Sequence, residues 1–284
     1  MTKCGHYLNT VSYFSFIKMH GLGNDYVYID CLPEETAKRI AKADLSALAR
    51  RVSDRHFGIG SDGLVLILPS KEADVQMRIF NADGSEAQMC GNAIRCVGKY
   101  VYESGICPRP TLTVETRAGN RLLTLRIKDG KVSSVTVNMG VPQIKQDSLV
   151  LDADPLGFTF VNMGNPHAVF FRKKLLSEEE LAVLGKRIST HPSFPEGTNV
   201  EFVSVRSAHE LDVQVWERGS GITLACGTGA CAAAAAAMWH GLAKEEVVVH
   251  LPGGDLVISR ENGRQPVFMT GTATEVFRGE FKIV

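Results

Sequence analysis

The sequence predicts an α+β protein that consists of two similar domains. The chain has 284 residues, about twice the length of an average domain. It repeats an ordered set of motifs at a nearly constant separation. Short runs rich in Val, Ile, Thr and Leu, which are typical of β-strands, outnumber the helical patterns in both repeats.

The repeat is visible in five pairs of positions. The segment DLSALARRVSDRHF resembles ELAVLGKRISTHPSF, and most pairs keep a separation of 136 or 137 positions. The aligned pairs are Leu45 with Leu181, Gly60 with Gly197, Phe80 with Trp216, Cys90 with Cys226 and, 141 positions apart, Gly23 with Gly164. One modest loop insertion accounts for the difference. A period of this length indicates a duplicated domain rather than a solenoid.

Each repeat contains runs with the composition of strands. They are GLVLILP, DVQMRIF, TLTVET, LLTLRI and SSVTVNM in the first half, and HAVFF, NVEFVSV, LDVQVWE and EVVVHL in the second. We expect the boundary between the domains near residues 130–140. A last strand is predicted at residues 279–284, after a glycine- and charge-containing stretch at residues 260–278.

Two helices are predicted in each half. The first covers residues 44–53, and its counterpart opens at Ser177 with Glu180 three residues later, which is a capping box. The second follows Cys90 or Cys226 and ends near residue 103 or 240. Gly105 and Gly241 stand where a left-handed residue commonly ends a helix.

The composition argues against nucleic acid and membranes as binding partners. Lys plus Arg and Asp plus Glu both number 31, so no net charge attracts nucleic acid or an anionic membrane. We find no apolar run that could span a bilayer and no signal peptide. The seven cysteines are an odd number without zinc-site spacing. These features favour a cytoplasmic protein with reduced thiols and no metal site.

The second helix of each half begins directly after a cysteine. The unpaired N–H groups and partial positive charge of a helix N-terminus favour a thiolate at Cys90 and Cys226. The same N–H groups bind carboxylates, and Gly91 and Gly227 let a ligand approach because they lack a Cβ atom. Each half is therefore predicted to supply one activated sulfur and one cradle for an anion.

Two such sulfurs on opposite sides of a small carboxylate ligand would invert a carbon centre. One thiolate removes the α-proton from one face, and the opposite thiol delivers a proton to the other. The helix N-termini stabilise the enolate-like charge, and no cofactor is needed. A cysteine at a helix start is more often a small buried residue; two at matching positions favour function. The remaining cysteines are interpreted as core or structural: Cys4, Cys31, Cys96, Cys107 and Cys231.

Six motifs connect this pattern to a known family. The ordered runs KMHGLGNDYVYID, RHFGIGSDG, FNADGSEAQMCGNAIRC, NMGNPHAV, EGTNVEFV and WERGSGITLACGTGACA resemble those of the diaminopimelate epimerases and extend over most of the chain. The resemblance implies two pseudo-symmetric domains, each a curled, barrel-like mixed sheet around a central helix. It implies interconversion of LL- and meso-diaminopimelate without pyridoxal phosphate, in the synthesis of lysine and peptidoglycan precursors.

The resemblance also implies domain limits. We expect the N-terminal half at residues 14–135 plus 276–284 and the C-terminal half at residues 136–275. Residues 1–13 lie upstream of the family's usual start and are expected to form a disordered extension. The family often dimerises, so a homodimer is compatible with the resemblance.

The resemblance assigns roles to individual residues. Cys90 and Cys226 match the two acid/base thiols, and His167 matches a histidine that supports one of them. Ten further residues match substrate-binding positions: Asn24, Asn81, Gly91, Asn92, Asn165, Asn199, Glu217, Arg218, Gly227 and Thr228. Arg218 suits a distal carboxylate because a guanidinium binds both oxygens. Gly63 departs from the pattern, since many members have Gln there.

Without the resemblance, several of these residues have simpler interpretations. Asn24, Asn165 and Asn199 follow Gly or Thr in predicted turns, where Asn is common for backbone reasons. Glu217 and Arg218 would be a solvated pair at the end of a strand, and His167 a structural histidine. Asp62-Gly63 and Asp83-Gly84 are interpreted as plain turns.

Three other functions remain open at this point. A two-cysteine racemase of proline or hydroxyproline would share the architecture, but it would have His where this chain has Asn92. A thiol redox protein would cycle a disulfide between Cys90 and Cys226. A ligand-binding protein on the same scaffold would keep its function without the thiols.

Overall fold

A computed structural model describes residues 12–260 and 265–283 of the chain. The first half contains helices α1 (Glu34–Ile40), α2 (Leu45–Ser53) and α3 (Gly91–Glu103). Its strands are β1 (Ser12–Gly21), β2 (Asn24–Asp30), β3 (Gly63–Leu68), β4 (Val75–Asn81), β5 (Glu86–Ala87), β6 (Thr111–Glu115), β7 (Arg121–Lys128) and β8 (Lys131–Asn138).

The second half repeats this series of elements. Its helices are α4 (Glu178–Ser189) and α5 (Gly227–Trp239). Its strands are β9 (Gln143–Leu151), β10 (Asp154–Asn162), β11 (Pro166–Phe171), β12 (Asn199–Ser207), β13 (Glu210–Glu217), β14 (Gly221–Ile222), β15 (Glu246–Leu251), β16 (Gly254–Ser259), β17 (Phe268–Gly271) and β18 (Thr274–Ile283). None of the helices in the described ranges combines the length and apolar composition needed to cross a membrane.

The pairing of strands is the same in both halves. In the first half, β1 and β2 are antiparallel, β2 and β3 are parallel, and β4 is antiparallel to β3 and parallel to β6. In the second half, β10 to β13 and β15 pair in the same order and with the same directions. The identical topology agrees with the repeat in the sequence and confirms the predicted α+β fold of two similar domains with curled mixed sheets.

The two halves exchange a strand. After β8, the chain continues into β9, which pairs with β10 of the second half. After β17, it continues into β18, which pairs with β1 of the first half. Strands β8 and β17 lie side by side and join the halves. Each sheet therefore contains a strand that follows the other half in the chain.

Helices α3 and α5 occupy the centre of the molecule. Ala232 to Ala237 of α5 are all buried, and a helix that is apolar on every side belongs in a core. Helix α3 buries most of its residues in the same apolar cluster. Two smaller clusters form where α2 packs on β2 and β3, and where α4 packs on β12. Each half thus has one helix inside the sheet and another outside it.

The predicted helices and their ends are confirmed. The carboxylate of Asp44 accepts the N–H of Ala47 at the start of α2, and both hydrogen bonds of the Ser177–Glu180 capping box are present. Gly105 and Gly241 have positive φ angles of 75° and 70°. The short helix α1 was not predicted.

Some strands differ from the prediction. The last strand begins at Thr274 rather than at residue 279, and β17 lies within the stretch predicted to precede it. Strands β9 and β10 were not predicted. Strand β9 is largely exposed and polar, and the first part of β10 contains Asp154, Pro155 and Gly157, which are uncommon in strands. The extension expected at residues 1–13 lies mostly outside the described residues, but Ser12 and Tyr13 already belong to β1.

Candidate active site

The two central helices begin at the same place in the molecule. Cys90 and Cys226 are the N-cap residues of α3 and α5, each with extended backbone angles. A Cβ atom added to Gly227 would lie only 3.5 Å from the Cα atom of Gly91. The residues that follow the two cysteines are therefore in contact. The structure brings the two thiols to one junction between the halves.

Met269 of β17 covers this junction. A Cβ atom on Gly91 would lie 2.8 Å from the Met269 Cε atom, and one on Gly227 would lie 3.1 Å from its Sδ atom. The amide of Asn92 also ties the halves together, since its Nδ2 atom donates to the carbonyl of Ala225 at 2.9 Å. Asn92 is buried, so its side chain joins the two halves, and its backbone N–H belongs to the start of α3.

Cys90 has hydrogen-bond partners of both kinds. Its Sγ atom lies 3.4 Å from the Oδ1 atom of Asn24, which can only accept. Burial raises the pKa of the Cys90 thiol above its ordinary value. The backbone N–H groups of Ala93 and Asn92, and the hydroxyl of Tyr26, act in the opposite direction and lower this pKa.

Cys226 stands among acidic groups. Its Sγ atom accepts the N–H of Gly229 at 3.3 Å and lies 3.5 Å from the Thr228 hydroxyl. Burial raises its pKa well above the ordinary value, and the carboxylates of Glu217 and Glu201 raise it further. The expectation that the helix N-termini would leave both thiols easily ionised is therefore wrong for the substrate-free protein. The N–H groups do favour the thiolates, but loss of solvation is the larger effect.

His167 lies behind Cys226 in a buried chain of polar groups. Its Nδ1 atom is 2.7 Å from Oε1 of Glu201, and its Nε2 atom is 3.0 Å from Oδ1 of Asn165. The Nδ2 atom of Asn165 lies 3.4 Å from the hydroxyl of Thr228, which in turn contacts Cys226. Both ring nitrogens of His167 are occupied in this way. The histidine therefore acts on Cys226 through Asn165 and Thr228, and its partner Glu201 acts on the same thiol through its charge.

Asn24 of the first half is held in an equivalent manner. Its Nδ2 atom donates to Oδ2 of Asp62 at 2.8 Å, and the same oxygen accepts the N–H of Asp25. The guanidinium of Arg55 contacts the other oxygen of Asp62 and also Asp25. The Asp62-Gly63 pair interpreted as a plain turn thus carries a carboxylate that contacts a candidate site residue.

The remaining candidates lie at the ends of β12 and β13. The Oδ1 atom of Asn199 accepts the backbone N–H of Arg218 at 2.8 Å. The carboxylate of Glu217 accepts from the Thr223 hydroxyl at 2.5 Å, and burial raises its pKa. Arg218 is exposed, and its Nη1 atom donates to the carbonyl of Glu196. Its guanidinium is not paired with a carboxylate in the described part of the chain.

Two positions differ from what the motifs imply. The amide of Asn81 donates to the hydroxyl of Ser85, four residues later, and so is used within its own turn. A Cβ atom on Gly63 would lie 2.1 Å from the carbonyl oxygen of Phe80. In this chain, no side chain fits at position 63 without a shift of the backbone.

The sequence did not single out four residues that the structure places at the junction. They are Tyr26, Asp62, Glu201 and Met269. Glu201 could have been identified from the sequence, because it is the one charged residue in the apolar run NVEFVSV of a buried strand. A charge in such a position requires a partner. Met269 could not have been identified in this way, since its approach to Gly91 depends on the exchange of strands between the halves.

The chain is similar to a known family over nearly its whole length. A family model described as diaminopimelate epimerase matches residues 16–145 and 159–276. A protein named diaminopimelate epimerase from Acetivibrio thermocellus is 48% identical over 279 residues, covering 93% of this chain and 97% of that protein. Another, from Desulfovibrio desulfuricans, is 49% identical over 288 residues, covering 94% of this chain and 98% of that protein.

Solved structures with the same fold are more distant in sequence. A hydroxyproline epimerase from Agrobacterium vitis, with bound trans-4-OH-L-proline, has a TM-score of 0.71 and is 18% identical. The match covers 95% of this chain and 93% of that one. A PhzF-family phenazine biosynthesis protein from Bacillus anthracis has a TM-score of 0.67 at 16% identity, covering 96% of this chain and 99% of that one. At these identities the likeness shows a shared fold alone.

Proposed function

The chain belongs to the diaminopimelate epimerase family, and we propose that Cys90 and Cys226 are the two groups that exchange protons with its substrate. The protein is an isomerase of lysine biosynthesis that epimerises diaminopimelate. The proposal for the residues is supported by one observation above all. Gly91 and Gly227, which directly follow the two cysteines, are in contact across the junction of the halves.

The geometry at the helix starts suits the reacting carboxylate. The first N–H groups of α3 and α5 have no partner within their helices, and both helices begin at the junction. Glycine at positions 91 and 227 lets the two helix starts and Met269 pack closely, rather than leaving open space beside the backbone as the sequence suggested. This packing brings two anion-binding helix N-termini together. As the α-proton leaves, charge moves onto this carboxylate, and two helix N-termini stabilise it from fixed positions. In this role we place Gly91, Asn92, Gly227 and Thr228.

The proton transfers need one thiolate and one thiol. In the substrate-free protein, burial raises the pKa of both groups, so neither is readily ionised. The α-ammonium group of the substrate brings a positive charge between the sulfurs, and this favours the thiolate. One sulfur then takes the α-proton as the other donates from the opposite face. The configuration inverts without a cofactor.

The distal end of the substrate requires a second set of groups. Arg218 is exposed next to Glu217, and its planar guanidinium can bind a carboxylate through two parallel hydrogen bonds. We propose that Glu217 and Arg218 contact the substrate together with Asn24, Asn165 and Asn199. Asn81 joins this set only after giving up its bond to Ser85. His167 supports Cys226 through Asn165.

Two alternative functions have less support. The hydroxyproline epimerase shares the fold at 18% identity, whereas the relatives at 48% and 49% identity are diaminopimelate epimerases. A redox function would need a reversible bond between Cys90 and Cys226. All six cysteines of the described residues are free thiols, the state that the proton transfers require.

Solvent deuterium tests the proposed chemistry. The enzyme is incubated with LL-diaminopimelate in D2O, and the α-deuterium content of both stereoisomers is followed by NMR. A two-base mechanism places solvent deuterium in the newly formed meso product, because the proton that is delivered comes from the opposite thiol. Turnover of hydroxyproline but not of diaminopimelate would overturn the assignment of substrate. Turnover that required oxidant would support the redox function instead.

We also propose the context in which the enzyme works. We propose one domain at residues 14–135 plus 276–284 and another at residues 136–275. The pairing of β18 with β1 supports the return of the chain to the first half. A cytoplasmic location is supported by the free thiols, which persist in a reducing compartment. A homodimer is tested by light scattering of the purified protein.

A further inference from the structure

Asn24 presents a hydrogen-bond acceptor to the sulfur of Cys90. The Oδ1 atom of its amide lies 3.4 Å from Cys90 Sγ and 3.3 Å from Nδ2 of Asn92. The Nδ2 atom of the same amide points away, toward the carboxylate of Asp62 at 2.8 Å. An amide can expose either its oxygen or its nitrogen on a given side. Some neighbour must therefore decide which atom faces the thiol.

Two neighbours favour the observed orientation. Nδ2 of Asn92 donates to the Asn24 oxygen at 3.3 Å, and Asp62 makes the shorter contact, at 2.8 Å, with the Asn24 nitrogen. An ionised carboxylate only accepts hydrogen bonds, so it accommodates the nitrogen of Asn24 and repels its oxygen. Asp62 is itself fixed on both sides, because Oδ2 also accepts the N–H of Asp25 and Oδ1 accepts from Arg55. Rotation of the Asn24 amide by half a turn would place two oxygens against each other at 2.8 Å. That orientation is excluded as long as position 62 presents an acceptor, and no donor, to Asn24.

We propose that Asp62 is a positioning residue that, through Asn24, keeps an acceptor against the Cys90 sulfur and so favours the protonated thiol in the substrate-free enzyme. The inference rests on the proposed role of Cys90 as one of the two bases. A thiol can donate a hydrogen bond to the Oδ1 atom of Asn24. The negative charge of a thiolate would instead be repelled by the partial negative charge of that oxygen. The hydrogen bonds of Asp62 go to Asn24, Asp25 and Arg55, and not to the sulfur.

Several other groups act on Cys90 and must be kept constant. The Tyr26 hydroxyl of β2 and the first N–H groups of α3 favour the thiolate, and the Glu217 carboxylate of β13 disfavours it. Further charges and ionisable groups surround Cys90 and Asp62: Lys18, Asp25, Tyr28, Arg55, Arg95 and Cys96. Substitutions at position 62 change none of these residues, but loss of the carboxylate leaves Arg55 with Asp25 as its remaining carboxylate partner. Asp62→Asn removes the same ion pair and therefore controls for this change.

The test compares two replacements of Asp62 that differ in one property. Asp62→Ala removes both the acceptor and the charge. Asp62→Asn removes the charge but keeps an oxygen that can accept from Asn24 and from the N–H of Asp25. The rate of alkylation by iodoacetamide is measured against pH in the substrate-free enzyme, with the labelled cysteines mapped by mass spectrometry. Cys226 serves as the reference thiol in the same molecule.

We expect the Cys90 profile of Asp62→Ala to move by about one unit toward lower pH, which is about tenfold in the alkylation rate below the transition. The freed amide can turn its Nδ2 atom toward the sulfur and stabilise the thiolate. The Cys90 profile of Asp62→Asn is expected to stay near that of the natural enzyme, and the Cys226 profile to remain unchanged in both variants. In an Asn24→Ala background, Asp62→Ala should add no further shift, because Asp62 acts through Asn24.

Three results would overturn the inference. Equal shifts in Asp62→Ala and Asp62→Asn would assign the effect to charge rather than to orientation. An unchanged Cys90 profile in Asp62→Ala would show that Asp62 does not influence Cys90, and a joint shift of Cys90 and Cys226 would indicate a loosened junction.

Asp54→Ala controls for loop order, since Asp54 caps the N–H groups of His56 and Phe57 without contacting Asn24. If Asp62→Ala does not fold, Asp62→Leu is a second variant without an acceptor and has the same expected profile. The measurement uses no substrate, so its result does not affect the assignment of the protein as an epimerase, which the deuterium experiment tests.

Discussion

The Nδ1 atom of His167 lies 2.7 Å from Oε1 of Glu201, and neither side chain has any exposed surface. The second carboxylate oxygen of Glu201 has no partner among the described residues. Burial raises the pKa of Glu201, whereas His167 lowers it. The carboxylate also raises the pKa of Cys226, so this pair influences both the stability of the second half and the acidity of one thiol.

Replacement of Glu201 should separate these two effects. Glu201→Ala leaves His167 without its buried partner and should lower the free energy of unfolding by about 3–5 kcal/mol. Glu201→Gln keeps an oxygen for His167 and should be less destabilising, but its lost charge should move the alkylation profile of Cys226 to lower pH. Urea unfolding and thiol alkylation measure the two quantities. Equal destabilisation by Ala and Gln would contradict the pairing.

The two thiols should differ in their response to pH. The pKa of Cys90 is raised, while that of Cys226 is raised well above its ordinary value because two carboxylates add to the effect of burial. A raised pKa means that the reactive thiolate appears only at higher pH. In the substrate-free enzyme, Cys90 should therefore be alkylated at lower pH than Cys226, as measured by peptide mapping across a pH series. The reverse order would show that other groups control the ionisation.

Loss of either thiol should stop epimerisation while leaving one base in place. Cys90→Ala and Cys226→Ala should each nearly abolish inversion, and Cys→Ser at either position should be severe because a hydroxyl is a far weaker acid. A halogenated substrate analogue needs only one base to eliminate HF, so a single variant should retain part of that activity. Near-native epimerisation by both Ala variants would disprove the two-base mechanism.

Close packing at Gly91 should be essential for the position of the helix starts that bind the carboxylate of the substrate. Gly91→Ala places a Cβ atom 2.8 Å from the Met269 Cε atom, and overpacking of this kind costs about 1–3 kcal/mol. The shift of α3 that relieves this contact would also displace the N–H groups of the proposed carboxylate cradle and raise KM. Met269→Ala in the same chain removes the crowding atoms and should bring KM back toward the natural value. An unchanged KM in the double variant would show that crowding by Met269 is not the cause.

Local features of the sequence predicted the centre of this molecule well. The matching Cys-Gly pairs identified the starts of α3 and α5, and Ser177 with Glu180 identified the start of α4, because capping and helix termini depend on neighbouring residues. Glu201 and Asp62 were missed for a different reason. Their partners, His167 and Asn24, lie 34 and 38 positions away, and only the parallel pairing of strands brings them together.

The sequence also could not predict how burial changes the pKa values of the two thiols. A helix N-terminus predicts an acidic thiol at Cys90 and Cys226, and the N–H groups do act in this direction. Burial by the facing half outweighs them, and no local pattern reveals how closely two halves approach. The contact of Gly91 with Gly227 is a property of the assembled junction.

The return of β18 to the first half makes possible a circular permutant in which all strands of that half are continuous in sequence. Ser12 pairs with Ile283 at the outer end of β1 and β18, so a hairpin of about four residues could join them. A circular permutant opened at residues 272–273, between β17 and β18, would then encode β18, β1 and the rest of the first half as one uninterrupted piece, followed by the second half. Division of that permutant after β8 would yield two fragments, one with Cys90 and the other with Cys226. Mixing of the fragments should reconstitute the junction from separate chains.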